Sequence, residues 1–311
     1  MAWLIGLDEA GYGPNLGPFA MSAALLRLPA PSCPWRLLAN QVRRLGEPDD
    51  GRLVVDDSKG IHTPKLGLQP LERAVLPFLP AAPSLAELWP RLVLTPWEAY
   101  QAEPYAADRP LPCGADLAKL LPPIRAQLLA GLEAAGLTLH LASVVLFPTE
   151  FNRVVTEGDS KAAAPLTAVR RLIQHALDRA ELGAEEPVEI VVDRLGGRKH
   201  YQPFLQDLFP EQFVFTECET NQASEYRVGP HLRVRFLVGG DQASFAVALA
   251  SMVSKYLREL LMLQFNEFFQ RQAPALVPTA GYPVDALRWW QETADLRAEL
   301  GMADTLLWRC R

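Results

Sequence analysis

Asp8 and Glu9 stand side by side at the end of an apolar run, in LIGLDEAGYGPNLGPF (4–19), and glycines and prolines follow at once. Asp193 closes a second apolar run, PVEIVVD (187–193), and Asp241 ends a third, LRVRFLVGGD (232–241). Each acid therefore lies at or just past the C-terminal end of a predicted strand, the edge where open α/β sheets place their sites. Carboxylates gathered from three strand ends repel one another, which is costly unless cations neutralise them. Hard cations that prefer oxygen ligands, Mg²⁺ or Mn²⁺, match that donor set. Two such ions are the usual arrangement for in-line cleavage of a phosphodiester. Any one of these acids is equally well explained as a turn former or a helix cap, as Asp241 would be before the helix that follows it. An adjacent Asp-Glu pair and four acids fitting one geometry favour a shared site.

Gly11 and Gly13 let the backbone take unusual dihedrals and let a ligand approach main-chain N–H groups. That suits a sugar-phosphate backbone, although a tight turn between two strands explains the same glycines. In DRLGGRKHYQ (193–202), Arg194, Arg198, Lys199 and His200 follow the third acid, where cations could meet phosphates or merely face water. Arg227, His231, Arg233 and Arg235 in EYRVGPHLRVRF (225–236) pose the same choice. His200 reads more readily as surface than as a proton carrier, and Trp289 and Trp290 as packing rather than as a stacking platform. Lys255, on a buried helix, is either structural or an anchor for the carboxylates.

Positioning these residues calls for strands over 2–9 and 17–28, a helix over 69–78 and another over 124–135 ending at Gly136. Alternation predicts a strand over 137–147. Leu166, Val169, Ile173 and Leu177 form the stripe of a helix over 165–182. A short helix follows at 200–209, strands at 212–220 and 232–241, a long buried helix from 242 to 269, and a helical, tryptophan-containing C-terminal part. Nine prolines between 80 and 123 predict an irregular insertion, about 80–135, with one short helix. Strands followed by helices imply an α/β or mixed-sheet fold.

The chain has 311 residues, 49% of them hydrophobic and 21% charged, with a formal charge of −6. It is long enough for one enlarged core or two ordinary ones, and its charge excludes a uniformly basic nucleic-acid coat protein. Cys33, Cys113, Cys218 and Cys310 are scattered, which suits a reducing cytoplasm and gives no zinc spacing. Asp8 and Glu9 interrupt the apolar start before a signal core can form, and no run is long enough to span a membrane.

GLDEAGYGPNLGP (6–18) is similar to the first signature of the ribonuclease HII family. DDSKGI (56–61) resembles its DSK segment, and ASVVLFPTEFNRV with LTAVRRLIQHAL its third strand and following helix. EIVVDRLGG (189–197) resembles the strand with its third acid. VGGDQASFAVALASMVSKYLREL (238–260) resembles its GD helix, and GYPVDALRWW (281–290) its GYGT segment. The resemblance spans nearly the whole chain in order, with the insertion about 80–135 and a second near 218–233. It implies a ribonuclease H-like mixed sheet flanked by helices over 1–255, with a helical C-terminal extension over 256–311. It further implies cleavage of RNA–DNA hybrids, or at ribonucleotides embedded in duplex DNA, with Mg²⁺ or Mn²⁺ on Asp8, Glu9, Asp193 and Asp241. Substrate roles would fall on Gly11, Tyr12, Gly13, Lys59 and Tyr282, with Arg198 and Lys199 as flanking phosphate contacts. A cytoplasmic monomer that binds no membrane is expected.

Two departures stand out. Tyr12 occupies the place of the family's arginine, removing a cation beside the phosphates, and GYPV lacks the threonine and the downstream histidine of the usual C-terminal motif. They leave open a nuclease with altered substrate choice, or a nucleic-acid-binding protein without catalysis.

Overall fold

A computed structural model describes residues 1–29, 32–62, 66–179 and 186–310. In chain order its elements begin with β1 (Ala2–Ala10), β2 (Phe19–Leu28), α1 (Pro34–Leu37), β3 (Val42–Arg43), β4 (Leu53–Val54), α2 (Ser58–Ile61) and α3 (Gln69–Val75). Next come α4 (Leu85–Leu92), α5 (Trp97–Gln101), α6 (Ala115–Ala134), β5 (Thr138–Leu146), α7 (Pro148–Glu157) and α8 (Ala163–Arg179). Then follow β6 (Val188–Asp193), α9 (Gln202–Leu208), β7 (Val214–Glu219), β8 (Ala223–Val228) and β9 (Leu232–Leu237). The chain closes with α10 (Gly240–Ala243), α11 (Phe245–Gln272), α12 (Pro283–Glu292), α13 (Ala294–Glu299) and α14 (Asp304–Leu307).

Seven strands form one mixed sheet in the order β5-β2-β1-β6-β9-β8-β7. Strands β1, β6 and β9 run parallel side by side, while β2 is antiparallel to both β1 and β5, and β8 to both β9 and β7. The expected α/β mixed sheet flanked by helices is thus present. Strand β2 shows how the sheet is covered. Ala20, Ala24 and Leu26 face the core built with α11 and α3, and Phe19, Met21, Ala23 and Leu25 face the core built with α7 and α8. That is the period-two alternation of a strand buried on both faces.

Gly6 fixes how closely α11 lies on the sheet. A Cβ there would come within 2.2 Å of the Ala246 carbonyl carbon and the Val247 nitrogen, so helix backbone rests directly on strand backbone. Ser251 and Ser254, further along α11, thereby reach Asp8 near the end of β1.

Several expectations are corrected. The insertion is ordered, with two short helices, α4 and α5, where one was expected, and α6 starts at Ala115 instead of 124 and runs through Pro122 and Pro123. Its buried Leu117, Leu121, Leu128 and Leu132 contribute roughly 6–12 kcal/mol, against about 3 kcal/mol for each interior proline. Pro96 caps α5 rather than breaking it. Trp89 stacks on Tyr100 and on Phe147, the residue that follows β5. The region near 218–233 holds β8, which fills the gap between β7 and β9. Its inward Ser224, Tyr226 and Val228 alternate correctly, but polar neighbours blur the pattern. The helix expected over 165–182 spans 163–179, and 180–182 lie outside the described residues.

The boundary drawn at 255/256 falls inside continuous α11, and Trp289 and Leu307 belong to the same core as Ala246. Trp289 is fully buried against Phe265 and Phe269, as packing predicted. Among the described residues, no helix is long and apolar enough to cross a membrane.

Candidate active site

Register brings the acids together. Leu7 pairs with Val192 across β1 and β6, so Asp8 and Asp193, each one residue further on, end neighbouring parallel strands at the same level. Asp193 in turn pairs with Leu237 of β9, whose chain continues through left-handed Gly239 (φ 67°) into α10, which carries Asp241. Asp8, Glu9, Asp193 and Asp241 line one cleft of about 430 Å³, together with Asp57, Lys59, Lys255, Arg258 and Tyr282. Alternation turns Asp8 toward α11, where the Ser251 hydroxyl bonds its carboxylate and the Ser254 hydroxyl donates to its backbone carbonyl at 2.8 Å. Glu9 faces the other way, and its charge is felt by Tyr12 and Tyr201.

The helix-cap explanation of Asp241 does not hold. Ser244 holds the N-cap position of α11, without a side-chain bond, and Asp241 sits inside the preceding turn, its Oδ1 accepting from the Gln242 N–H at 2.9 Å. The Glu9 N–H donates to Asp8 at 2.7 Å and the Gly240 N–H to Asp193 at 2.8 Å.

These backbone bonds do not balance the charge. Burial, then repulsion from Glu9 and Asp193, holds the Asp8 carboxyl well above its usual range. Glu9 is pushed up to about 7 by burial and by Asp193. Asp193 is raised by burial and, less, by Asp241, while burial and Asp57 raise Asp241. Cations are in short supply. Lys59 draws Glu9, Asp193 and Asp241 back down, but Lys255 and Arg258 both pair with Glu259 at 3.0 Å. Glu9 Oε2 is buried with no hydrogen-bond partner.

Oxygen donors, surplus negative charge and an orphaned carboxylate oxygen fit a hard divalent cation. Among the described residues, no three His, Cys, Asp or Glu side chains stand ready as they are to enclose an ion. Three of the four acids have one oxygen turned to a backbone N–H, which leaves each carboxylate further lone pairs.

The glycine turn borders the cleft. Gly11 has φ 88°, and a Cβ there would come within 2.5 Å of Arg258 Nε and 2.9 Å of the Pro18 carbonyl oxygen. Only glycine fits without moving that guanidinium, which also donates to the Ala280 carbonyl at 2.7 Å. Tyr282, 49% exposed, lies at the rim near Gly13, with the Arg258 guanidinium 5.8 Å from its ring centre. Tyr12 does not line the cleft. Its ring turns toward Gly196 and lies 5.3 Å from the Lys161 ammonium.

Arg198 and Lys199 also lie off the cleft lining. Arg198 donates to the His200 carbonyl, and Lys199 to the Asn221 side chain. Arg194 is buried and holds the Thr220 and Asn221 carbonyls and the Ser224 hydroxyl at 3.0, 2.6 and 3.0 Å, so it is a structural staple. His200 is exposed and bonds Glu219. Asp57, Ser251, Ser254 and Arg258 escaped sequence reasoning. The last three had a signal, since Ser251, Ser254, Lys255 and Arg258 recur at helical spacing along an otherwise apolar helix.

No known family model matches the chain, and no curated protein matches it. Among solved structures it is similar to Bst-RNase HIII, at 18% identity and TM-score 0.47, over 96% of this chain and 65% of that one. It is also similar to ribonuclease H2 from Pyrococcus horikoshii OT3, at 15% identity and TM-score 0.45, over 98% and 92% of the two chains. A structure of Bst-RNase HIII in complex with Mn²⁺ aligns at 15% identity and TM-score 0.44, over 99% and 66%. The chain thus spans about two thirds of the length of Bst-RNase HIII.

Proposed function

We propose that this chain is a divalent-metal-dependent endonuclease of the ribonuclease HII type. Its substrate is the RNA strand of RNA–DNA hybrids, or the phosphodiester at a ribonucleotide embedded in duplex DNA. The observation that carries this reading is the uncompensated acid cleft, in which four carboxylates arrive from the ends of three adjacent parallel strands. Asp8, Glu9, Asp193 and Asp241 would hold Mg²⁺ or Mn²⁺, which supplies charge neutralisation at the scissile phosphate and activation of the attacking water.

The chain's own groups do the rest. Lys59 brings an ammonium to the acid cluster, where it can meet a phosphate flanking the cut. The left-handed turn at Gly11 lines the cleft, where its backbone would read a 2′-hydroxyl by hydrogen bonding. Tyr282 offers a half-exposed ring at the rim for stacking on the sugar.

Tyr12 favours one variation, altered substrate choice, since the family's arginine is missing beside the junction loop. A chain without catalysis has no reason to keep mutually repelling buried carboxylates.

The test is cleavage of a duplex with one ribonucleotide, alongside a full hybrid, with Mg²⁺ and with Mn²⁺. Cutting that vanishes in Asp8→Asn is expected, and no cutting of either substrate by folded protein overturns the reading. A Tyr12→Arg variant that gains preference for the single ribonucleotide supports altered choice. An unchanged ratio assigns the reading to the backbone.

A further inference from the structure

A second, larger cavity lies at the other end of the sheet, and its charge is opposite in sign. It encloses about 680 Å³ where α4, α6 and α8 meet the edge strand β5. Three guanidinium groups converge on it, Arg91 from α4, Arg125 from α6 and Arg179 from α8, beside two imidazoles, His140 from β5 and His175 from α8, which burial and Arg179 hold below the usual histidine range. No aspartate or glutamate lines it, in a chain whose formal charge is −6.

Pairing does not remove this charge. Arg125 Nη2 donates to the Leu76 carbonyl, and its Nε is buried with no acceptor. Arg179 Nη2 lies 3.3 Å from His140 Nδ1, a partner that carries no negative charge to offset it. Among the described residues, the acids acting on the cluster are Glu87, 3.9 Å from Arg91 with both side chains 53% exposed, and Asp178, beside His175. Such exposed contacts are weak. Phe78, Leu92, Leu129 and Leu141 add apolar lining to the same cavity. A volume within the few-hundred-Å³ range, apolar walls and a few convergent polar groups are the marks of a small-molecule site. Guanidinium groups in that setting select phosphate.

The site is separate from the acid cleft. His140 pairs with Leu25, which pairs with Ile5, whereas Ser143 and Ser22 stand level with Asp8. The cavity is thus two strands away from the acid-bearing strand and displaced toward its start. Two of the four elements that form it, α4 and α6, belong to the proline-rich insertion.

We propose that this cavity binds a small molecule joining a phosphate group to an apolar body, and that the insertion exists in part to build it. The proposal does not depend on the nuclease reading.

The probe is phenyl phosphate, followed by titration calorimetry with chelator present so that the acid cleft holds no metal-bound phosphate. Inorganic phosphate and phenol serve as half-ligands. One-to-one binding of phenyl phosphate is expected, at least about tenfold tighter than either half, and equal in Asp8→Asn. Arg179→Gln, at an exposed helix end, is expected to weaken it at least about tenfold with the melting temperature unchanged. Arg125→Gln should weaken it as well. Binding that is equal in wild type and both arginine variants overturns the proposal. So does the absence of binding at millimolar phenyl phosphate, or displacement of the probe by duplex DNA as effective in Arg179→Gln as in wild type.

Discussion

Two charged clusters on this molecule differ in charge balance and in burial. On the outer face of β8 and β9, Arg233 meets Glu217 at 2.9 Å and Glu225 at 2.7 Å. Arg235 meets Glu189 at 2.9 Å and Glu225 at 3.3 Å, and Arg227 reaches Glu217 at 3.8 Å. Three arginines and three glutamates neutralise one another within the chain. In the acid cleft, burial and mutual repulsion raise four carboxylates, and two of the three cations that line it are bound to Glu259. A balanced cluster is a solvated surface. An unbalanced, buried one is stable only with something added from outside.

The sharpest way to break this comparison is to remove charge from each side. Asp193→Asn is expected to lower cleavage by roughly 10²–10³-fold or more, while the metal-free protein melts no lower, since a repelling buried charge is gone. Arg233→Ala should leave cleavage within about twofold, because exposed ion pairs contribute little.

The next effect is on pH dependence. The Glu9 carboxyl titrates near 7 in the folded chain, against 4.5 when unperturbed, so the folded state holds its proton more tightly. That stabilisation is complete below about pH 4.5 and is lost as pH rises through about 7. Chelator-treated protein should therefore lose stability across that window, and Glu9→Gln should flatten the loss. A melting temperature that rises across the same window would count against the repulsion.

Cations separate the regions further. Arg194→Ala should cost about 2–3 kcal/mol in urea unfolding, because two carbonyls lose a charged donor, whereas Arg233→Ala should cost under about 1 kcal/mol. Lys59→Ala should reduce cleavage about tenfold, as expected for losing one charged contact to phosphate, and Lys199→Ala should change it little. Equal effects of the two lysines would remove the distinction drawn from the cleft.

The acids were legible because each follows an apolar run short enough to be a strand, and three such strands proved parallel and adjacent. Their register, which puts Asp8 level with Asp193, was not, since pairing depends on contacts far apart in sequence. Arg194 shows the same limit. Nothing beside it reveals that its partners are carbonyls at 220 and 221, so the sequence leaves phosphate contact and plain solvation equally open. Arg258 could have been found from the polar spacing along α11. The insertion misled for another reason. Proline breaks helices on average, yet Pro96 caps α5, and Pro122 and Pro123 are carried by a buried leucine stripe.

The most direct measurement of the central claim is a Mn²⁺ titration followed by electron paramagnetic resonance, on wild type, Asp193→Asn and Arg233→Ala. Saturable binding is expected in wild type and Arg233→Ala, weakened at least about tenfold in Asp193→Asn, as loss of a ligating carboxylate demands. Absence of saturable binding, or equal binding in all three proteins, would contradict the claim that the cleft's unbalanced charge is there to hold a metal.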